Sequence, residues 1–180
     1  MRIIAGAYKG RRLKAPTWDG LRPTSDKLRE TLFNVLAARV PEARVLDGCA
    51  GTGAVGLEAL SRGAAHVTFI ERDRRAAALI RENLAAAGVD EASYTIDCSD
   101  IRTALRRMPA EHRFDLLFLD PPYAIDGLDE ILAASAERLA PDGLLVLERA
   151  TRREPEVPSA LVRVRDIRSG DSTLTLMKGC

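Results

Sequence analysis

The sequence predicts an α/β fold: a mostly parallel seven-stranded sheet with helices on both faces, an antiparallel hairpin at one edge, and a further β-hairpin at the amino terminus. Three observations carry this. Short apolar runs alternate with stretches of helical period along most of the chain, the pattern of a parallel sheet covered on both sides. The last two extended runs follow one another with no helix between them, and only an antiparallel pair can be joined so briefly. Gly51, Gly53 and Gly56 sit between the first strand and its crossover helix at the first, third and sixth positions of a nucleotide-binding turn, as in Rossmann-like sheets.

Taken in order, residues 2–5 and 11–14 read as two short strands around a Gly-Ala-Tyr-Lys-Gly turn. Leu28, Leu32, Val35 and Leu36 predict a helix over 26–38, with Ser25 as its cap. Strands near 44–47, 67–70, 93–97, 114–119 and 144–148 alternate with helices near 54–62, 73–87, 100–107 and 126–139. Pro155 and Pro158 mark the loop before the closing strands near 161–167 and 172–178. No internal repeat or low-complexity tract interrupts this order. The expected organisation is a basic hairpin and loop over 1–24, then the α/β domain over 25–180, a length that suits one core.

Two strand ends carry chemistry. Asp47 closes the first strand ahead of the glycines, where a carboxylate would repel a pyrophosphate and suits a cationic ligand. Glu71 closes the second strand roughly twenty residues on, where an acidic side chain binds ribose hydroxyls. Ribose recognition joined to negative charge matches S-adenosylmethionine better than NAD. The fourth strand runs into Asp120-Pro121-Pro122-Tyr123. Such a loop can hold a planar amine: Asp120 accepts from one N–H, the two prolines offer only carbonyls, and Tyr123 presents a face for stacking. A proline-rich turn that merely ends a strand is the competing reading of the tetrapeptide alone.

Asp47, Ala50-Gly51-Thr52-Gly53, Glu71 and the Asp-Pro-Pro-Tyr tetrapeptide resemble the class I methyltransferases that modify amino groups of bases. The amino-terminal block narrows this: Arg2-Ile3-Ile4-Ala5-Gly6, Lys9-Gly10-Arg11, Leu21-Arg22-Pro23-Thr24 and Arg29-Glu30-Thr31-Leu32-Phe33-Asn34. With the run from Gly56 to Ala64 and the Gly170-Asp171-Ser172 turn, it is similar to the RsmD family of bacterial 16S rRNA guanine-N2 methyltransferases. Gly48-Cys49 departs from the larger residues such enzymes carry there. The resemblance implies a Rossmann-like class I methyltransferase fold and methyl transfer from S-adenosylmethionine to a guanine N2 of 16S rRNA, within an assembling 30S subunit. It further implies catalytic roles for Asp120, Pro121, Pro122 and Tyr123. Cofactor contacts are implied for Asp47, Ala50, Gly51, Thr52, Gly53, Glu71, Arg72, Asp100, Ile101 and Thr24. For Asp100 a helix cap is the other reading, and both can hold. Thr24 and Arg29 lie on a segment that folds over the cofactor in such enzymes, with a surface or hairpin-supporting role as the alternative. Glu148 and Arg149 either touch substrate or cap the sheet.

Charge is uneven. Residues 1–30 hold eight basic residues against three acidic, a net of +5, which leaves −4 for the rest of a chain that totals +1. Lys9, Arg11, Arg12, Lys14 and Arg22 are therefore expected to grip RNA phosphates. Cys49, Cys98 and Cys180 are odd in number and far apart, which suggests small buried thiols rather than a disulfide framework or zinc site. His66 and His112 have no partner at metal or triad spacing, so no metal is expected. With no long apolar run or signal sequence, a cytoplasmic chain without membrane contact is expected, a monomer by preference. Two other functions share the motif: a DNA adenine-N6 methyltransferase, and an idle RNA-binding assembly factor that keeps the fold.

Overall fold

The computed structural model describes residues 1–18, 25–122 and 125–180. Seven strands form one sheet: β1 (Arg44–Gly48), β2 (His66–Ile70), β3 (Tyr94–Asp97), β4 (Phe114–Leu119), β5 (Leu139–Ala150), β6 (Leu161–Ser169) and β7 (Ser172–Gly179). Their order is β3-β2-β1-β4-β5-β7-β6. The first five run parallel, and β7 is antiparallel to both its neighbours. Among the described residues five α-helices accompany the sheet: α1 (Asp26–Val35), α2 (Ala54–Ser61), α3 (Arg74–Ala86), α4 (Ile101–Arg107) and α5 (Leu128–Ala136). Among the described residues no helix is long and apolar enough to cross a membrane.

Side-chain alternation divides the core in two. Val45, Val67, Phe69, Leu116, Phe118 and Val146 face one layer, packed by Leu32 and Phe33 of α1, Leu57 of α2 and Ile80 of α3. Leu46, Ile70, Leu117, Leu119, Leu145 and Leu147 face the other, against Ile101 and Leu105 of α4 and Ile131 of α5. Helices cover both faces, as the apolar runs require. Gly56 of α2 lies where an added Cβ would stand 2.2 Å from Phe69 Cε1, so this helix approaches β2 closely only without a side chain there.

The amino-terminal segment departs from the expected hairpin. Its two arms meet at an isolated antiparallel bridge, Arg2 with Arg12, with Ile3 N–H donating to the Arg11 carbonyl at 3.0 Å. The pairing does not extend into a regular strand, because the N–H groups that follow Ile3 are claimed by α2. Glu58 accepts from Ile4 N–H at 2.8 Å and Ala5 N–H at 3.1 Å. Ala7 N–H donates to the Ser61 carbonyl at 2.7 Å and Tyr8 N–H to Ser61 Oγ at 2.9 Å. A Cβ on Gly6, whose φ is +84°, would stand 1.7 Å from the Ser61 carbonyl oxygen, so only glycine fits this approach.

Glu58 is fully buried, and so is Arg29. Arg62 Nε donates to Glu58 Oε1 at 2.7 Å, and Arg29 Nε lies 3.8 Å from Glu58 Oε2. Arg29 also donates to the Arg2 carbonyl at 2.6 Å and to Asp26 at 2.9 Å. Arg29 therefore supports the amino-terminal segment and is absent from the cleft lining. The cysteines also depart from expectation: Cys98 and Cys180 are exposed, and Cys49, on the loop after β1, is half-buried against the α4–α5 layer.

Removing Glu58 would leave Arg29 as a buried charge without this counterion and two backbone donors without an acceptor. Glu58→Ala is expected to lower stability by about 3–5 kcal/mol, measured by urea unfolding. A loss below about 1 kcal/mol, the scale of a surface pair, would rule out this anchoring role.

Candidate active site

The strand order reverses between β1 and β4, and a cleft of about 850 Å³ opens at the carboxyl ends of the strands around that point. Alternation along the strands decides what lines it. Asp47, Glu71, Asp120 and Glu148 each follow a residue of the α4–α5 layer, so all four turn toward the α1–α3 face. All four line the cleft. Asp47, Glu71 and Glu148 are buried, and Asp120 is partly so.

The loop after β1 folds around two of these carboxylates. Cys49, Gly51 and Gly53 all have positive φ, at 60°, 56° and 74°. The turn directs backbone N–H groups inward: Gly51 donates to Glu71 Oε2 at 2.8 Å and Gly56 to Asp47 Oδ2 at 2.8 Å. Glu71 Oε1 accepts the Asp73 N–H, also at 2.8 Å, so both oxygens of that carboxylate are oriented. Asp100 caps α4 by accepting Arg102 N–H at 2.9 Å.

Burial and like charge shift these acids in one direction. Burial is the main cause that pushes Asp47 up to about 7, opposed by the Gly56 hydrogen bond and assisted by Glu71. Asp120 is pushed well above the usual carboxylate range by burial, then by Glu148 and Asp47. Cys49 is pushed up to about 12 by burial and by the surrounding carboxylates, so it remains a thiol rather than a nucleophile. A cation entering this cleft would be attracted by every one of these acids.

Of the residues expected at the site, Asp47, Ala50, Gly51, Thr52, Glu71, Arg72, Asp100, Ile101, Asp120, Pro121 and Pro122 line this one cleft. Gly53 instead shapes the turn as the left-handed cap of α2. Thr24, Arg22 and Tyr123 lie outside the described residues. Lys9, Arg11, Arg12 and Lys14 are exposed on the amino-terminal segment, away from the cleft lining. Lys14 pairs with Glu82 at 2.9 Å and Arg11 lies over the Tyr8 ring. Of the two residues closing β5, Glu148 lines the cleft, while Arg149 turns to the other side and bonds Thr175, Glu154 and Asp166.

The sequence reading missed three parts of the lining: Trp18, stacked under Arg75; Ser25 and Leu28 of the α1 start; and the 169–172 turn between β6 and β7 as a wall. Trp18 carried a signal as the sole tryptophan, beside a basic segment. The other two become visible only once β6 and β7 are placed beside β5. Among the described residues, no three His, Cys, Asp or Glu side chains converge as a metal ion would require.

The family model described as Conserved hypothetical protein 95 matches residues 1–178. Ribosomal RNA small subunit methyltransferase D of Escherichia coli strain K12 is 40% identical over 164 residues, covering 91% of this chain and 79% of that protein. The protein of the same name from Haemophilus influenzae is 36% identical over 150 residues, covering 82% of this chain and 78% of that one. The solved structure of yhhF from Escherichia coli superposes with a TM-score of 0.87 at 36% identity, covering 99% of this chain and 97% of the other.

The Asp47 shift has a consequence for folding. Its carboxyl binds a proton more tightly when folded, near 7, than when unfolded, near 3.8. Between those values the folded state holds the extra proton, so the ligand-free protein loses stability as pH rises, by up to about 1.4 kcal/mol per unit from this group. Asp47→Asn keeps an acceptor for Gly56 and is expected to flatten that part of the slope. Denaturation midpoints at several pH values check this, and an unchanged slope in the variant would refute it.

Proposed function

We propose a reaction from one premise, that the chain belongs to the Conserved hypothetical protein 95 family, the family of the ribosomal RNA small subunit methyltransferase D proteins. The chain transfers a methyl group from S-adenosylmethionine to the exocyclic N2 amine of a guanine in 16S rRNA. One observation carries the reading. The Asp120 carboxyl and the carbonyl-only Pro121-Pro122 backbone open into the same cleft as the glycine turn, Asp47 and Glu71.

The residues present fit the methyl donor, which when bound supplies an already activated methyl group on a sulfonium. Glu71 is held by Gly51 and Asp73 and keeps lone pairs for the ribose hydroxyls. Asp100 caps α4 with one oxygen and keeps the other for the adenine amine. The strand-end carboxylates favour the positive charge.

At the acceptor end, Asp120 and the Pro121 carbonyl take the two N–H bonds of the target amine. This draws nitrogen toward a tetrahedral form whose lone pair attacks the methyl carbon as the carbon–sulfur bond breaks. The new N–C bond leaves positive charge on nitrogen, and its proton then departs to solvent. Positioning and electrostatics do this work. Asp120 is required as a hydrogen-bond acceptor, which the carbonyl oxygen of the neutral acid also provides. Tyr123 offers the flipped base a stacking face.

Residues 1–24 form the RNA-gripping extension on this reading: Lys9, Arg11 and Arg12 are exposed, Lys14 is already paired to Glu82, and Arg22 is the fifth basic residue assigned to the grip. The acceptor is rRNA within an assembling 30S subunit, in the cytoplasm, and the protein acts as a monomer.

Labelled methyl transfer to 30S subunits that lack their own methylation, followed by nucleoside analysis, tests the reaction. N2-methylguanosine is expected, and methyladenine would overturn the choice of base. Asp120→Ala should lower turnover by at least about 100-fold, in line with removal of one preorganised transition-state contact, with near-normal cofactor affinity. Activity within a few-fold of the parent would sink its role. Arg11→Glu combined with Arg12→Glu should weaken rRNA binding and leave cofactor binding intact, and an equal loss of both would count against the extension as an RNA grip.

A further inference from the structure

We propose that Glu148 selects guanine, accepting the base's N1–H while Asp120 holds the neighbouring N2 amine. This rests on the methyl-transfer reading above and assigns the specificity of that same site.

The register of the sheet brings the two acids together. β4 and β5 are parallel neighbours, paired as far as Leu119 with Leu147. Asp120 and Glu148 are the next residues on each strand, so their backbones lie roughly 4.8 Å apart. Leu119 and Leu147 both point into the α4–α5 layer, so the acids that follow both turn to the opposite face. Both line the cleft. The Glu148 charge is felt at Asp120, where it is among the causes that push that carboxyl up.

The surroundings suit a base rather than the methyl donor. The 169–172 turn walls the cleft beside β5 and β7, and Ser25 and Leu28 at the start of α1 also line it. The glycine turn, Glu71 and Asp100 follow β1, β2 and β3, on the far side of Asp120 from β5. Arg149, the next residue, is engaged on the other face by Glu154 and Asp166, so it does not occupy this space.

The chemistry of the base completes the case. Guanine's Watson–Crick edge presents N1–H and N2–H side by side, two donors in a row. Adenine presents a donor at N6 but a lone pair at N1. A carboxylate is an acceptor only, so Glu148 welcomes the first pattern and repels the second. Two adjacent acids thus read a donor–donor edge, which the Asp-Pro-Pro backbone alone cannot do.

The test uses 2-aminopurine, which keeps the N2 amine but has a lone pair at N1. After the modified nucleotide has been located, 30S subunits are assembled with 16S rRNA carrying guanine or 2-aminopurine there. The full-length protein should methylate guanine faster than 2-aminopurine by roughly 10- to 100-fold, the discrimination of a good bidentate contact. Glu148→Gln places an amide donor beside N1, so it should slow guanine and speed 2-aminopurine, collapsing or inverting the ratio. Cofactor affinity should remain that of the parent. If the parent protein methylates both bases equally, or E148Q slows both by one factor, the inference is overturned and methyl transfer to an N2 amine stands. Transfer to an adenine N6 by the parent would overturn the guanine reading itself, and this inference with it.

Discussion

Four carboxyl groups on one face of one sheet edge are the constraint around which this molecule is arranged. The strand-end positions of Asp47, Glu71, Asp120 and Glu148 follow from the period-2 alternation of a parallel sheet buried on both sides. Burying like charges together is unfavourable, and the raised position of Asp47 and Asp120 reflects it. The glycine turn offsets part of that cost. Its N–H groups at Gly51 and Gly56 point to protein carboxylates and not outward. In a phosphate-binding turn the same groups would be presented to a ligand's anion. Here they are occupied, so the turn builds a pocket for positive charge and hydroxyls instead of one for pyrophosphate.

α2 ties this pocket to the basic segment. Gly56 at its start holds Asp47, and two residues later Glu58 holds Ile4, Ala5 and Arg62, with Arg29 behind it. The helix is only eight residues long and is buried along nearly its whole length. Its register against β2 is set by Phe69, which leaves no room for a Cβ at Gly56. A shift of α2 would therefore move the Asp47 carboxylate and the amino-terminal segment together. The buried Glu58 network is a positional device more than a source of stability, because desolvation of the two charges offsets most of their attraction.

Much of this was legible in the sequence. Strand–turn–helix patterning placed the parallel strands and crossover helices within a few residues, and the absence of a final helix located the antiparallel β7. Strand-end acids and the Asp-Pro-Pro run identified most of the cleft, because those residue types at strand ends have few other uses. What stayed hidden depended on partners distant in the chain. Residues 2–5 have strand composition, yet the Ile4 and Ala5 N–H groups go to Glu58, and those of Ala7 and Tyr8 just after go to Ser61, all more than fifty positions away. Arg29 reads as a surface charge until Glu58 and the Arg2 carbonyl surround it. β5 begins at Leu139, five residues before its continuous apolar run, because Phe114 pairs with Leu139 across an irregularity that no local pattern records. Cys98 and Cys180 are small apolar residues that a loop and the terminus leave uncovered.

The same arrangement accounts for catalysis without a dedicated base. On the proposed reaction, the donor brings one positive charge on sulfur, and after transfer that charge resides on the acceptor nitrogen. The sheet edge carries carboxyl groups at both ends of this path: Asp47 and Glu71 on the donor side, Asp120 and Glu148 on the acceptor side. Charge therefore migrates from one pair of acids toward the other while remaining inside a fixed anionic field. Few dipoles must turn during the step, which is where a preorganised site gains over water. The acid nearest the new cation is also one that burial makes harder to ionise, so the developing ammonium favours its charged form as the reaction advances. An acceptor that strengthens along the reaction path binds the transition state more tightly than the ground state, and that difference lowers the barrier.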